Sequence, residues 1–276
     1  MSATLTLTGL HLYPVKSLGG YAVPEAAITT RGLQHDRRWL LVDERNRFLT
    51  QRQLPAMALL ALAPAHNGFL ISHRQRPELL PLYVPFAATP ERTLFVTIWS
   101  DLAWAWRGAP EADEWLTEAL GRPCRLVYMS DMVRREAESA PEPPAESQLV
   151  SFADAAPFLL AGEAALADLN TRLADPVLMN RFRPNLVFGG GEPYDDDTWE
   201  RFQIGDVPFR ALEGCARCVL TTIDQQTAVK SATSDPLRTL ATYRQTDHRT
   251  LFGQYVTSAP AGRLRVGDAI TVLSRK

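Results

Sequence analysis

Short segments in which apolar and polar residues alternate are the feature of this 276-residue chain that most limits its fold. Thr4–Tyr13 is the first, with leucines two positions apart on either side of Gly9, and Pro14 ends it. A period of two places alternate side chains on one face, as in a strand that buries one side. Further candidate strands follow at Arg37–Asp43, Met57–Leu62, Phe69–Ser72 and Leu94–Ile98, with a hairpin turn at Glu44–Arg47 leading into Phe48–Gln51. Short strands at this spacing predict a barrel or a sandwich.

The pattern becomes helical near Pro110 and mixed beyond it. Ala112–Leu120 has apolar residues at helical spacing, acidic residues in its first turn and Gly121 as a stop signal. Beyond that helix we predict strands at Arg125–Met129, Leu186–Phe188, Phe209–Leu212, Val219–Ile223, Leu264–Val266 and Ile270–Leu273, and helices at Ala161–Leu173 and Asp197–Phe202. The predicted fold class is therefore mainly β with some helices, an α+β protein.

A charged, proline-rich segment, Arg134–Ser147, separates two parts of the chain. Such a composition buries too little apolar surface to pack, so it predicts a loop. The chain length also suits two domains of ordinary size. We therefore place a boundary after residue 130. A first β-barrel domain spans residues 1–130, and a second spans 131–276, of which 131–147 form the loop.

Charge and cysteine content exclude several classes of protein. The 29 lysines and arginines nearly balance 31 aspartates and glutamates, for a formal net charge of −2, which argues against a nucleic-acid binder. Three cysteines cannot form a disulfide framework and suit a reducing compartment. The sequence shows no secretory signal, and no apolar run approaches the ~20 residues that span a bilayer. We expect a cytoplasmic protein that binds neither membranes nor nucleic acid.

Searches for common enzyme motifs are mostly negative. The sequence has no P-loop and no Gly-x-Ser-x-Gly elbow, and its five histidines form no His-x-x-x-His pair. Gly189-Gly190-Gly191 begins like a dinucleotide fingerprint, but Tyr194 stands where a further glycine is needed. The chain therefore predicts no nucleotide-binding or zincin site of these kinds.

The pair Cys215 and Cys218, with Arg217 between them, is the first candidate for chemistry. One Cys-x-x-Cys supplies at most two zinc ligands, and no second pair completes a tetrahedral site. A thioredoxin-like motif precedes a helix, whereas Val219–Ile223 is strongly β-forming, which disfavours that interpretation. Two interpretations stay open: a pair of small buried side chains, or a thiolate that Arg217 stabilises and that binds a soft or redox-active metal.

Cationic side chains form the second candidate group, at Lys16-Ser17, Arg37-Arg38 and Arg52. A lysine beside a hydroxyl, together with guanidinium forks, suits a phosphate, and the alternative is a set of solvated loop charges. Arg183 and Asn185 add a cation and an amide before a predicted buried strand. The proline between them keeps Arg183 out of the helical region of backbone space, so its side chain is aimed by a stiff backbone.

Eight short motifs along the chain resemble one known family. YPVKS, GLQHDRRWLLVD and TQRQ resemble the N-terminal β-barrel domain that accompanies MOSC domains. NRFRPNLVF, YDDDTWERFQIGDVPF, CARCVLTTID, LFGQY and RVGD resemble the MOSC domain itself. The motifs follow the order of the family and span nearly the whole chain. The sequence is thus similar to the MOSC-domain proteins that include the mitochondrial amidoxime-reducing component and its bacterial relatives.

The resemblance implies a molybdenum-molybdopterin cofactor and leaves the nucleotide form of that cofactor open. It implies that Cys218 ligates the metal and that Cys215 does not. The other site residues that it implies are Lys16, Ser17 and Arg37 for the phosphate, Arg183 and Asn185 for the pterin, Arg52 and Thr222 for the lining of the same cleft, and Asp197 for a catalytic position near the metal.

The resemblance implies a molybdenum-dependent reductase of small N-hydroxylated substrates, such as amidoximes, hydroxylamines or N-hydroxylated bases. No cysteine follows Cys218, so we expect no cluster-binding ferredoxin domain and an external electron donor: a ferredoxin, a flavin reductase or a haem protein. Two other interpretations stay open. The protein could carry the cofactor or its sulfur without turnover, or it could transfer sulfur on Cys218 without a permanent metal. The family is also associated with pyridoxal phosphate, an association that we do not extend to this chain.

Overall fold

The computed structural model describes residues 4–89, 92–138 and 149–276, and most of their regular structure is β. In chain order the strands are β1 (Thr6–Leu12), β2 (Tyr21–Ala22), β3 (Glu25–Thr29), β4 (Gly32–Leu33), β5 (Trp39–Val42), β6 (Leu60–Ala65), β7 (Gly68–His73), β8 (Leu82–Pro85), β9 (Thr93–Ile98), β10 (Asp101–Arg107), β11 (Arg125–Tyr128), β12 (Phe158–Gly162), β13 (Leu186–Gly189), β14 (Trp199–Ile204), β15 (Val207–Ala216), β16 (Gln245–Thr246), β17 (Arg249–Ser258), β18 (Arg263–Arg265) and β19 (Ile270–Arg275). The α-helices are α1 (Pro110–Leu120), α2 (Glu163–Thr171) and α3 (Leu237–Ala241). Short 3₁₀ helices lie at Pro55–Leu59, Met179–Arg181, Asp195–Thr198 and Val219–Thr222. The predicted fold class, mainly β with some helices, is confirmed.

Within the described ranges the strands form four sheets. The largest has the order β19-β14-β15-β17-β12-β13-β1-β2, with β16 beside β17. The others have the orders β5-β11-β10-β9, β18-β3-β4 and β6-β7-β8. The β18-β3-β4 sheet joins a strand near the C-terminus to strands of the first 33 residues. Strand pairing therefore connects the two ends of the sequence in two sheets.

The first strand of the chain completes a sheet that the second half of the chain builds. β1 pairs antiparallel with β13, so that Leu7 lies opposite Phe188 and Leu10 lies opposite Leu186. β13 lies between β1 and β12, and all four of its residues are buried, which explains its uninterrupted apolar run. Because the pairing is antiparallel, the end of β1 lies beside the start of β13. Residues that follow β1 and residues that precede β13 therefore meet at one end of this sheet.

Helix α1 ends at the predicted residue and begins two residues before the predicted start. Pro110 occupies its first turn, where its missing N–H is not needed, and Gly121 ends it with a left-handed φ of +62°. Its buried face, which includes Leu116, packs into the main hydrophobic core. That core contains side chains from both halves of the chain, Leu10 and Phe202 among them.

Two predicted strands begin with a 3₁₀ turn or are replaced by one. Met57–Leu62 contains the end of the Pro55–Leu59 turn, because Pro55 fixes a φ suited to a turn, and extended structure starts only at Leu60. Val219–Ile223 is not a strand. Its hydroxyls donate back along the chain, from Thr221 Oγ1 to the Cys218 carbonyl at 3.0 Å and from Thr222 Oγ1 to the Val219 carbonyl at 2.7 Å. Such local bonds compete with strand pairing and fold the backbone into a turn.

Two predicted helices also differ from the structure. Asp197–Phe202 is not a helix: the aspartates form the 3₁₀ turn Asp195–Thr198, and β14 follows with Trp199, Phe202 and Ile204 buried. The helix predicted at Ala161–Leu173 begins only at Glu163, because Ala161 and Gly162 pair with β13. Tertiary pairing thus overrides local helical propensity at both places.

The charged segment Arg134–Ser147 is only partly within the described residues, since residues 139–147 lie outside them. Its described part, residues 134–138, is in neither a helix nor a strand, but it is not wholly exposed to solvent. Arg135 is buried, and its guanidinium pairs with Asp101 at 2.8 Å and donates to the Ser151 carbonyl at 3.2 Å. An arginine whose N–H donors are hydrogen-bonded can be buried, even where the composition of the segment predicts an exposed side chain. In the three ranges that the structure describes, no helix has the length and apolar character to cross a membrane.

Candidate functional site

Seven of the nine residues predicted for the site line one cavity. They come from both halves of the sequence: Lys16, Ser17, Arg37 and Arg52 from the first, and Arg183, Asn185 and Cys218 from the second. The antiparallel pairing of β1 with β13 explains the meeting, because Lys16 follows β1 and Asn185 directly precedes β13. Cys218 follows the end of β15, and β15 lies two strands from β12 in the same sheet.

Three of the lining residues have a left-handed backbone that is uncommon for side chains of their size. The φ angles are +65° at Ser17, +47° at Arg37 and +58° at Arg183. Arg183 precedes a proline and is kept out of the right-handed helical region, as the sequence predicts. Backbone strain of this kind persists where the surrounding structure fixes it, and it concentrates at functional sites.

Lys16 and Asp154 form an ion pair in the cavity wall. The buried Lys16 ammonium contacts the Asp154 carboxylate and donates to the Phe152 carbonyl at 2.8 Å. Burial lowers the pKa of Lys16 below its usual value, and Asp154 opposes that shift. Partial burial would raise the pKa of Asp154, but the charge and hydrogen bond of Lys16 outweigh it and hold the pKa below its usual range. The lysine is therefore fixed in direction by groups on one side of it.

Arg37, Arg183 and Asn185 form a second cluster around the ring of Tyr13. Both guanidinium carbons lie 4.4 Å from the Tyr13 ring centroid, a cation–π distance. Arg37 donates to Asn185 Oδ1 at 2.9 Å and to the Arg183 carbonyl at 3.1 Å. Burial lowers the pKa of Arg183 to about 10, which leaves its guanidinium charged at neutral pH. Asp36 pairs with Arg37 at 2.5 Å and supplies part of the compensating charge.

The cavity lining is strongly electropositive. Five of its side chains are cations and one is a carboxylate: Lys16, Arg37, Arg52, Arg183 and Arg217 against Asp154. Charges that are partly removed from water interact more strongly with a bound ion than charges on an open surface. Guanidinium forks, a lysine and the Ser17 hydroxyl provide the donors that phosphate oxygens accept. The arrangement suits a phosphorylated, multiply hydrogen-bonding ligand.

The two cysteines of the Cys-x-x-Cys have different surroundings. Cys218 is exposed, and Arg52 Nη1 lies 3.6 Å from its sulfur. Cys215 is buried, and its sulfur accepts a 2.8 Å hydrogen bond from Arg217 Nη1. Arg217 was expected to favour a thiolate at this pair, and the structure directs its guanidinium to Cys215. The accessible thiol beside the cavity is Cys218, next to the guanidinium of Arg52.

Asp197 and Thr222 do not line the cavity. The Asp197 carboxylate pairs with Arg244 at 2.6 Å and accepts a 2.7 Å hydrogen bond from Gln254 Nε2. Thr222 is buried, and its hydroxyl donates to the Val219 carbonyl in the turn after Cys218. Asp197 thus contacts Gln254, a residue of β17. The next residue of that strand, Tyr255, lines the cavity.

Several residues of the site were not predicted from the sequence. Asp154 is one, and a buried pair of amides is another: Gln51 Nε2 donates to Gln225 Oε1 at 3.1 Å, and Gln225 Nε2 donates to Gln51 Oε1 at 2.9 Å. Gln51 also donates to the Ser17 carbonyl at 2.8 Å, so the pair connects the Ser17 turn to the segment that follows Cys218. The TQRQ motif contains Gln51, but its neighbour Arg52 was the residue that suggested chemistry.

Two family models match this chain and together cover most of it. The MOSC domain model matches residues 147–271, and the model of the MOSC N-terminal beta barrel domain matches residues 4–123. The chain is 34% identical over 285 residues to mitochondrial amidoxime-reducing component 1 of Homo sapiens, covering 98% of this chain and 83% of that protein. It is 31% identical over 264 residues to the molybdenum cofactor sulfurase of Arabidopsis thaliana, covering 90% of this chain and 32% of that protein. Among solved structures, the YUAD protein of Bacillus subtilis gives a TM-score of 0.44 at 11% identity, covering 98% of this chain and 96% of the other.

Proposed function

This chain belongs to the family of MOSC-domain proteins with an N-terminal MOSC β-barrel domain, and from that premise we propose that its cavity binds a molybdenum-molybdopterin cofactor. We propose further that the protein reduces N-hydroxylated compounds such as amidoximes, hydroxylamines or N-hydroxylated bases. One observation carries the proposal: an exposed thiol stands beside a cavity that is lined by five cations and one carboxylate.

The residues present fit such a cofactor by their chemistry. Lys16, Ser17 and Arg37 would hold its phosphate, because they bring an ammonium, a hydroxyl and a guanidinium fork to the cavity lining. Arg183 and Asn185 would contact the pterin, whose ring edge carries both donors and acceptors. Cys218 would ligate the metal, since a thiolate is the soft ligand that the cavity exposes. When bound, the cofactor supplies two-electron oxygen-atom chemistry.

Other side chains of the protein would hold and orient the residues that bind the cofactor. Arg52 donates toward Cys218 Sγ and places a positive charge beside the sulfur. Asp154 fixes the direction of the Lys16 ammonium, and Tyr13 supports both Arg37 and Arg183. We give Asp197 no part in the reaction, because Arg244 and Gln254 occupy its carboxylate outside the cavity.

We propose that electrons arrive from a separate redox protein: a ferredoxin, a flavin reductase or a haem protein. The sequence has no dinucleotide fingerprint, so NADH or NADPH alone is not expected to support turnover. A chemical dye or an added redox protein should restore turnover. Steady reduction by NADH with the pure chain would contradict the proposal.

A second candidate function is a carrier that holds the cofactor or its sulfur without turnover. The similarity to a protein named molybdenum cofactor sulfurase over 90% of this chain favours it. The cavity fits both functions, because both require the same cofactor contacts. They differ in whether the protein turns a substrate over.

The deciding experiment combines metal analysis with an assay on protein from a molybdenum-replete host. The reductase proposal expects near-stoichiometric molybdenum and reduction of benzamidoxime by an artificial electron donor. Cys218→Ser should lose both properties, because an alkoxide is a harder ligand of nearly the same size. Molybdenum without reduction would replace the proposal with the carrier, and a protein free of molybdenum would leave sulfur transfer.

A further inference from the structure

An exposed tryptophan in the hairpin of β9 and β10 contacts two residues that line the cavity, Asp154 and Arg52. Trp99 lies in the turn between the paired residues Ile98 and Asp101, and its Nε1 donates to Asp154 Oδ1 at 3.0 Å. Its ring centroid lies 4.3 Å from the guanidinium carbon of Arg52, which itself donates toward Cys218 Sγ. Although these contacts hold the ring, Trp99 is 44% exposed. An accessible aromatic surface therefore lies one side chain away from the thiol.

The backbone conformation of Trp99 is uncommon for a residue with a large side chain. Its φ of +54° lies in the left-handed region, which hairpin turns normally give to glycine or asparagine. The ring of Phe48 packs against it at a centroid distance of 5.1 Å and helps to hold it. An aromatic side chain that is strained, exposed and fixed by three partners is better suited to contact a ligand than to fill space.

We propose that Trp99 forms an aromatic subsite at the cavity mouth that binds the planar part of the substrate. The inference rests on the function proposed above, because amidoximes and N-hydroxylated bases are flat, conjugated groups. A tryptophan ring attracts such groups by stacking, and it attracts the amidine product, a cation at neutral pH, by cation–π interaction. Arg52 lies against the same ring, so a substrate stacked on Trp99 would lie close to the Arg52 guanidinium and, beyond it, to the Cys218 thiol. The subsite selects aromatic over small aliphatic N-hydroxylated compounds.

The test compares benzamidoxime with acetamidoxime, which share the reacting group and differ in the aromatic ring. Trp99→Ala should raise KM for benzamidoxime about 3- to 10-fold, the range expected for one aromatic pair, and leave kcat nearly unchanged. KM for acetamidoxime should stay within about twofold. Trp99→Phe should restore most of the preference, because it keeps a ring and removes only the N–H. Trp104→Ala is the matched control, since Trp104 lies in the same hairpin, is 48% exposed and stacks on Phe95, whereas Trp99 lies against Arg52.

Calorimetric binding of benzamidine, measured on wild type and on each variant, supplies a readout that needs no turnover. Binding that weakens in Trp99→Ala, and not in Trp104→Ala, supports the subsite even if the protein reduces no amidoxime. Reduction of both amidoximes with no change of preference in Trp99→Ala overturns the subsite and leaves the proposed function standing. Equal losses for both substrates together with lost molybdenum would show that Trp99 only holds Asp154, which also overturns it. Wild-type protein that binds no benzamidine overturns it as well.

Discussion

At the scale of single residues, burial and charge give different chemistry to two identical side chains. Cys215 is 2% exposed and receives a hydrogen bond from Arg217, whose guanidinium also donates to the Phe182 carbonyl at 2.7 Å. Cys218 is exposed beside Arg52. A sulfur that is enclosed and already serves as an acceptor supports the fold, and one that is open can receive a ligand. The environments therefore separate a structural cysteine from a candidate metal ligand.

The first prediction concerns Cys215. Cys215→Ala removes an acceptor from the partly buried guanidinium of Arg217, so the free energy of unfolding should fall by roughly 1–3 kcal/mol. Cys215→Ser keeps an acceptor and should lose less. Urea unfolding of the two variants measures the difference, and both should retain molybdenum. Equal stability of Cys215→Ala and wild type would contradict this assignment.

The second prediction concerns the phosphate side of the cavity. Lys16→Ala and Arg37→Ala each remove one cation from a partly buried anion site, at a cost of roughly 2–5 kcal/mol in cofactor binding. That cost corresponds to on the order of 30-fold to several thousand-fold weaker affinity. Both variants should therefore purify with little molybdenum, measured by elemental analysis. Their melting temperatures should also lose the stabilisation that a bound ligand gives by mass action.

Arg45→Ala is the matched control for these variants, because Arg45 is an exposed arginine in the turn before Phe48, away from the cavity. It should keep its metal. Full molybdenum occupancy in both the Lys16 and the Arg37 variants would show that these cations do not hold a phosphate.

Local motifs predicted the cations of the site but not their partners. Lys16 and Arg183 stand beside prolines or hydroxyls within a few residues, so sequence patterns identify them. Asp154 lies 138 positions from Lys16 and 55 from Trp99, and no local pattern connects them. The pairing of β1 with β13, the pairing of β13 with β12, which follows Asp154, and the approach of the β9–β10 hairpin bring these groups together. Contacts between distant segments depend on tertiary packing that local sequence does not encode.

At the scale of elements, the hydroxyl and carboxylate side chains explain where the predicted secondary structure is wrong. Val219–Ile223 has strong β propensity, but Thr221 and Thr222 bond to backbone carbonyls three residues back and close a 3₁₀ turn. That turn holds Cys218 at the exit of β15. In the Asp195–Thr198 turn, the Thr198 hydroxyl donates to the Asp195 carbonyl at 2.9 Å and Asp195 Oδ2 accepts from Trp199 Nε1 at 3.2 Å, where β14 begins. Propensity is a weak guide where side chains bond to their own backbone.

The third prediction concerns this acidic turn. Asp196 is 2% exposed, and burial, with the neighbouring charge of Asp197, raises its pKa to about 7. A carboxyl that holds its proton more tightly in the folded state stabilises the fold below the unfolded pKa of about 3.9, and that contribution is lost as pH rises toward 7. Asp196→Asn should therefore gain stability relative to wild type between pH 5 and pH 8. The expected gain is about 2–3 kcal/mol, measured by urea unfolding at both pH values.

Asp206→Asn is the control for the acidic turn, because Asp206 is an exposed acid in the turn between β14 and β15. Because the side chain is exposed, this substitution should change the free energy of unfolding by less than about 0.5 kcal/mol. A difference for Asp196→Asn that does not vary with pH would show that Asp196 is ionised in the folded protein at both pH values.

At the scale of the whole molecule, the two halves of the chain share both a sheet and a site. The sequence predicts two β domains divided after residue 130, and the family models match residues 4–123 and 147–271. The structure places β1 in the large sheet of the second half, and β18 beside β3 of the first. The alternating pattern of Thr4–Tyr13 predicts that β1 is a strand, but it cannot identify the partner, because strand pairing is specified by matching faces far apart in sequence. A ligand in the cavity would therefore contact residues from both halves of the chain.

The last prediction concerns whether the rest of the chain folds when β1 is removed. A chain that begins at Pro14 keeps every cavity-lining residue but loses Leu7, Leu10 and Leu12, which are buried against β13 and the core. Burial of three leucines contributes roughly 5 kcal/mol or more, which is comparable to the ~5–15 kcal/mol that holds a typical domain folded. Without β1, Leu186–Gly189 also becomes an edge strand with unpaired backbone groups, a surface that promotes aggregation. The shortened chain should therefore aggregate in size-exclusion chromatography and lose cooperative unfolding, whereas a chain that begins at Thr4 should behave as the full protein. A monomeric, cooperatively unfolding protein that begins at Pro14 would show that the second half folds without the first strand.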